Sequence, residues 1–147
     1  MAIIMDGKAL SAKIRTQIRE QSAQLEAETG IKPGLAVIIV GEDPASKIYV
    51  RNKAKACEEV GFKSEVYELP EKTTEDELLD LVKVLNSRSD IHGILVQSPL
   101  PSHLDEALIV NNISPEKDVD AFHPENVGRI MIGDYSFLPC TPAGVME

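Results

Sequence analysis

The segment Leu35-Ala36-Val37-Ile38-Ile39-Val40, held between Gly34 and Gly41, constrains the fold more than any other stretch of the chain. It is too short for a typical helix and is dominated by β-branched residues, which suit a pleated surface. An apolar run unbroken by polar residues fits a strand buried on both faces. Such a strand needs cover on either side, and the flanking sequence supplies it. Asp6 to Gly30 carries Leu10, Ile14, Ile18 and Leu25 at helical spacing, Pro44 to Val60 reads as a helix stopped by Gly61, and Lys63 to Leu69 reads as a second strand. Thr74 and Glu77 form a capping box ahead of Leu78, Leu81, Val82 and Leu85; Gly93 to Gln97 is a third strand, and His103 to Val110 a further helix. Strands alternating with helices predict right-handed βαβ units. The expected fold is therefore α/β, a three-layer α-β-α architecture with a mostly parallel sheet.

At 147 residues and 43% hydrophobic content, the chain has the length of one domain and enough apolar material for a core without disulfides or metals. Cys57 and Cys140 lie far apart without CxxC spacing and read as reduced thiols. Fifteen Lys and Arg against twenty-four Asp and Glu give a net charge of −9, which opposes binding to a nucleic-acid backbone or an anionic membrane. The longest aliphatic run falls far short of the roughly 20 residues that span a bilayer. Met1 to Gly7 has neither the basic nor the apolar region of a signal peptide, which points to the cytoplasm.

Beyond the third strand, Ser114 to Asn126 reads as a long loop with a short helix from Pro124. Arg129 to Ile132 and Tyr135 to Leu138, flanking Gly133-Asp134, read as a small hairpin. Thr141 before Pro142 is a helix start, an N-cap and then a proline at the first helical position. A single turn does not recover its nucleation entropy. Residues 1–140 are thus expected to form the domain, and residues 141–147 to open a helix leading into a C-terminal domain that this chain lacks.

In open parallel sheets ligands bind beyond the carboxyl ends of the strands, so the residues after Val40 and Val96 come first. On the helix from Pro44, the stripe Val50, Ala54, Cys57 and Gly61 faces the core, and Tyr49 and Lys53, at i and i+4, border it. A partly desolvated Lys53 can act as acid or base, and a lysine with its stem on apolar surface and its head in water is the structural alternative. Tyr49 offers a π face and a hydroxyl, or simply edges the core. Gln97 presents a neutral carbonyl and amide able to orient a lysine head or a substrate. Pro99 and Pro101 around Leu100 make a stiff wall in which an X–Pro bond can be cis. Asp118 and Asp120 are open to three readings: metal ligation, hydrogen bonding to an amino-pyrimidinone ring, or solvated loop charge. No third ligand has suitable spacing and His92, His103 and His123 form no HExxH pattern, so no metal site is expected. Neither G-x-G-x-x-G nor a P-loop is present to cradle a dinucleotide phosphate.

Four motifs in order carry a resemblance: Pro44 to Lys53 with Ala56-Cys57, His92 to Pro101, Lys117-Asp118-Val119-Asp120, and Pro139 to Gly144. Collinear over essentially the whole chain, they resemble the bifunctional methylenetetrahydrofolate dehydrogenase/cyclohydrolase family. The resemblance implies an enzyme of one-carbon metabolism that oxidises 5,10-methylenetetrahydrofolate with NADP and hydrolyses the methenyl product to 10-formyltetrahydrofolate in one folate cleft. It implies that Lys53 assists proton transfer, that Gln97 tunes Lys53, that Tyr49 packs on the folate, and that Asp120 grips the pterin. It further implies that Ser46, Val50, Pro99, Leu100 and Pro101 contact the substrate, and that Cys140 and Thr141 lie near an NADP site supplied by the absent half. The parent is then expected to be a homodimer, and this segment alone to lack dehydrogenase activity. Lys47, Arg51 and Lys55 are candidates to meet the anionic glutamate tail. Two positions depart from the family pattern: Ser98 replaces its usual Leu, and Ala121 its usual Gly. A folate-binding module without turnover is the alternative; a flavodoxin-like interaction domain, suggested by the α/β alternation alone, gives no reason for Tyr49, Lys53 and Gln97 to converge.

Overall fold

In the computed structural model, which describes residues 6–147, β1 (Gly34–Val40) is the middle strand of a three-stranded parallel sheet, between β2 (Lys63–Leu69) and β3 (Gly93–Val96). The signal-peptide reading at Met1 to Gly7 falls mostly outside the described residues. Leu35 pairs with Ser64 on one side and Gly93 on the other, and Val37 and Ile38 are fully buried. Val37 and Ile39 pack with Leu95 and with Val50 of α2 (Pro44–Glu59). On the opposite face Ala36, Ile38 and Val40 pack with Leu78, Val82 and Leu85 of α3 (Glu75–Ser87) and Ile109 of α4 (Glu106–Asn112). Two layers of helix therefore enclose the apolar run, as its composition predicts.

Handedness explains why the helices divide this way. The chain steps from β1 to β2 in one direction and returns past β1 to β3 in the other, so two right-handed crossovers put α2 and α3 on opposite faces. The carboxyl ends of β1 and β3 then feed helices that diverge, and a crevice opens between them. α1 (Gly7–Thr29) lies outermost against α2, with an ion pair from Arg15 to Glu59 at 2.6 Å. Its ends are set by Asp6, which accepts from the N–H groups of Lys8 and Ala9, and by Gly30 in the left-handed conformation. Among the described residues no helix is long and apolar enough to cross a membrane.

Past α4 the chain returns to the outer side of β3. Ile94 bridges Asp118 in parallel, and the Ile94 N–H donates to the Lys117 carbonyl at 2.7 Å. Lys117 Nζ donates to the carbonyls of Leu85, Asn86 and Arg88 at 3.2, 2.8 and 2.7 Å, fastening the segment to the end of α3. Gly93 lets the segment pack closely: a Cβ at this position would lie 2.6 Å from Val119 Cγ1, which would have to shift.

Three expectations change. Residues 129–132 do not form a hairpin strand, because they complete α5 (Pro124–Ile132). His123 caps that helix by accepting from the Glu125 N–H, Pro124 takes the first turn, Glu125 pairs with Arg129 at 2.6 Å, and Gly133 closes it at φ 79. These helix signals outweigh the strand propensity of Ile130-Met131-Ile132. The last helix, α6 (Cys140–Met146), starts before Thr141; Pro139 stands at its N-cap position without a side-chain cap, and Thr141 lies in the first turn. α4 begins at Glu106, later than expected, because the Asp105 side chain accepts from the Leu108 N–H and fixes the start.

Candidate active site

Asp43 caps α2 by accepting from the Ser46 N–H at 2.7 Å, and Pro44 fixes its first turn, so the helix starts directly beyond the carboxyl end of β1. Ser46 is buried there. Its hydroxyl lies 3.5 Å from the Ser98 carbonyl, joining α2 to the segment after β3 across the crevice. One turn along α2, Tyr49 is 67% exposed at the rim. Val50, expected to touch a ligand, is buried against Val37, Ile39 and Leu95 and backs the site from the core. Lys53 is half-buried on the wall of a cavity.

Gln97 follows the last residue of β3, and its N–H continues the ladder to the Ile38 carbonyl at 2.8 Å. Its side-chain Nε2 donates to the Ser98 carbonyl at 2.8 Å, which leaves Oε1 as an acceptor for an ammonium or a ligand N–H. The Ser98–Pro99 bond is cis. Leu100 packs against the core, Pro101 is half-buried, and Pro99 is exposed. The Ser98 hydroxyl donates to Glu106 at the start of α4. No local sequence signal announces that contact.

The cavity measures about 410 Å³. Lys53, Asp120 and Cys140 face it, and Leu35, Leu95 and Val119 supply its apolar wall. It runs beneath α2 along the sheet toward Gly34 and Gly93, so the site extends further toward the amino ends of the strands than the rule for parallel sheets predicts. A narrower cleft between α4 and the end of β3 is lined by Ser98, Leu100, Glu106 and, again, Asp120. Asp120 and Leu95 line both spaces, and Asp120 is the ionisable one of the two. Ser46, Tyr49, Gln97, Pro99 and Pro101 do not line the cavity. Thr141 is exposed, whereas Cys140 Sγ lies 3.9 Å from the Val119 carbonyl.

Charge within the site is set by burial. Burial pushes the Asp120 carboxyl up from its ordinary range, the Lys53 ammonium opposes that rise, and the Asp118 charge adds to it. Burial also pushes the Cys57 thiol up, and the charge of Lys53 opposes that rise. Lys53 therefore stands within electrostatic reach of both. Cys57, read from its spacing as core, also lines the cavity, and its i+4 relation to Lys53 was the signal that places them together. A flat ring fits the apolar walls, a carboxylate at Asp120 accepts hydrogen bonds from the ring edge, and an amine at Lys53 can exchange a proton with it. Among the described residues no group of three His, Cys, Asp or Glu side chains is placed to hold a metal ion.

Residues 5–120 match the family described as tetrahydrofolate dehydrogenase/cyclohydrolase, catalytic domain. The chain is 57% identical over 145 residues to the bifunctional protein FolD of Moorella thermoacetica, covering 99% of this chain and 51% of that protein, and 58% identical over 146 residues to that of Geotalea daltonii, covering 99% and 52%. The crystal structure of the bifunctional FolD methylenetetrahydrofolate dehydrogenase/cyclohydrolase from Campylobacter jejuni superposes with a TM-score of 0.93 at 56% identity, over 96% of this chain and 50% of that one. The Trypanosoma brucei enzyme, complexed with NADP and an inhibitor, superposes with a TM-score of 0.94 at 39% identity, over 99% and 50%. The chain spans about half the length of the curated relatives it matches. On these matches the chain belongs to the tetrahydrofolate dehydrogenase/cyclohydrolase family and carries its catalytic domain.

Proposed function

We propose that the chain is the folate-binding half of an enzyme that oxidises 5,10-methylenetetrahydrofolate with NADP and hydrolyses the resulting 5,10-methenyl cation to 10-formyltetrahydrofolate. The observation that carries this reading is the approach of Lys53 and Asp120 to one apolar-walled cavity of about 410 Å³. The pterin lies against the apolar wall with Tyr49 at its rim, and Asp120 accepts from its amino-pyrimidinone edge. Gln97 Oε1 accepts from Lys53 and orients it. As water adds to the methenyl carbon, Lys53 takes the proton that the water gives up. When the ring C–N bond opens, the same group returns that proton to the departing nitrogen, and the adduct's hydroxyl releases its own proton to solvent as the formyl C=O forms, the one net proton of the hydrolysis.

NADP supplies the hydride acceptor. In the present chain the turn after β1 carries Glu42 and Asp43 at the start of α2, where a pyrophosphate would need N–H groups and no like charge. The nucleotide does not fit there, and Cys140 and Thr141 of α6 are the residues of this chain that would lie near it. Residues 1–140 form the folate-binding domain and residues 141–147 lead toward the nucleotide-binding half. The longer protein is a cytoplasmic homodimer with no nucleic-acid or membrane partner, a reading in keeping with the −9 charge of the present 147 residues.

Lys53→Met in the longer protein tests the reading: the absorbance of 5,10-methenyltetrahydrofolate should decay about 10²–10⁴-fold more slowly than with the parent, and equal rates overturn the role of Lys53. A second reading, a folate-binding module without turnover, is favoured by the exposure of Tyr49 in the chain as it stands. Calorimetric binding of a folate without hydrolysis by this chain would support the module.

A further inference from the structure

Asp118 and Asp120 stand two residues apart, yet only Asp120 reaches the large cavity. The Asp118 side chain is turned inward and the residue is 2% exposed. Its Oδ2 accepts from the His123 N–H at 2.8 Å and from Asn126 Nδ2 at 3.0 Å, and its carbonyl accepts from the Ala121 N–H at 3.2 Å. Asn126, 5% exposed, also donates from Nδ2 to the Pro115 carbonyl at 2.9 Å. A buried carboxylate persists only when such donors meet it.

These bonds hold residues 118–123 at both ends. One end joins β3 through the Ile94–Asp118 bridge, and the other joins the first turn of α5 through Asn126. Between them Ala121 sits at φ 56, a conformation that an alanine keeps only when its surroundings hold it there. Asp120 is therefore carried on an over-determined span rather than a free loop.

Resting on the folate reading above, we propose that Asp118 and Asn126 are positioning residues for Asp120: their buried pair fixes the span so that the Asp120 carboxylate meets the amino-pyrimidinone edge. The Asp118 charge also acts on Asp120 directly, raising its carboxyl together with burial. The other ionisable groups facing the two spaces that Asp120 lines are Lys53 and Cys57 of α2, His92 ahead of β3, Glu106 of α4 and Cys140 of α6.

Two variants of the chain test this. Asp118→Asn keeps an acceptor oxygen for His123 and Asn126 and removes only the charge; Asn126→Ala removes the donor that ties the span to α5. With Asp118→Asn, the Asp120 carboxyl, followed by carbon-13 NMR, should titrate at lower pH than in the parent chain. A structural role alone would leave that midpoint in place, so an unchanged midpoint overturns the proposal, and this arm decides the matter if Asn126→Ala does not fold. With folded Asn126→Ala, calorimetric binding of 5-formyltetrahydrofolate should weaken at least about tenfold. Undiminished binding overturns the positioning role and leaves the folate reading intact. Absence of binding by the parent chain overturns the folate reading instead, and the Asp120 midpoint then decides alone whether Asp118 acts on Asp120.

Discussion

Asp120 is placed where its surroundings work against its ionisation. Burial raises its carboxyl, and Lys53 opposes the rise without being the larger influence. A carboxyl raised in the folded state is destabilising once it is ionised, so the penalty is absent below the unfolded value of about 3.9 and grows as pH rises past it. Asp120→Asn should therefore raise the melting temperature at pH 7, show no gain near pH 3, and weaken folate binding; thermal melts at both pH values with calorimetry check this, and an unchanged or lower melting temperature at pH 7 refutes it. The neighbouring Ala121, at φ 56, sits in the left-handed region that alanine enters only under constraint. The spacing of Asp118 and Asp120 did not reveal their separate fates. On an extended strand they would share a face, but the chain leaves the sheet edge after Asp118 and turns at Ala121. Lys53 was legible because helix periodicity places it at the border of the core stripe. Its partner in space, Asp120, was not legible from periodicity, because the two belong to distant segments.

At the scale of the element, β3 shows how tightly the site is built into the sheet. A methyl group at Gly93 would stand 2.6 Å from Val119 Cγ1 and 3.1 Å from Leu35 Cδ1, both on the cavity wall. Gly93→Ala should cost about 1–3 kcal/mol of stability by overpacking and weaken folate binding, because Val119 must move and it directly precedes Asp120. Chemical denaturation and calorimetry measure the two effects; a variant of parental stability and affinity would show that the strand has room to spare. The strands and the first three helices were legible because each carries mutually consistent signals, such as the Asp6 cap with Gly30, and the Thr74–Glu77 box before Leu78. Arg129 to Ile132 misled because three large apolar residues in a row suggest a strand, while the deciding signals, His123-Pro124 and Gly133, lie at the two ends of the helix. α6 misled for the opposite reason: Thr141-Pro142 has the sequence of a cap, but the helix begins a residue earlier without one.

Across the molecule, the sheet edge opposite the site is held by charge. Arg88 pairs with Glu65 of β2 at 2.7 Å and with Asp90 at 2.7 Å, while Lys63 reaches Asp90 at 2.6 Å and Glu65 at 2.8 Å. Arg88, foremost among these partners, holds the Glu65 and Asp90 carboxyls well below the usual carboxylate range. Carboxyls depressed in this way give their full stabilisation above the unfolded values near about 4 and lose it as pH falls through the folded ones. The cluster is partly solvated, which limits its worth. Arg88→Ala should lower the melting temperature at pH 7 and flatten its decline below about pH 4; a melting curve against pH that runs parallel to the parent's would refute this. The central place of β1 has a further consequence during synthesis. Its most apolar residues leave the ribosome first among the strands, while β2 and then β3 are still to be made, on the order of seconds later at ordinary translation rates. The strand that the finished fold shields best is the one that the growing chain leaves without partners longest, so this segment, Ala36 to Val40, is where a nascent chain most needs a chaperone.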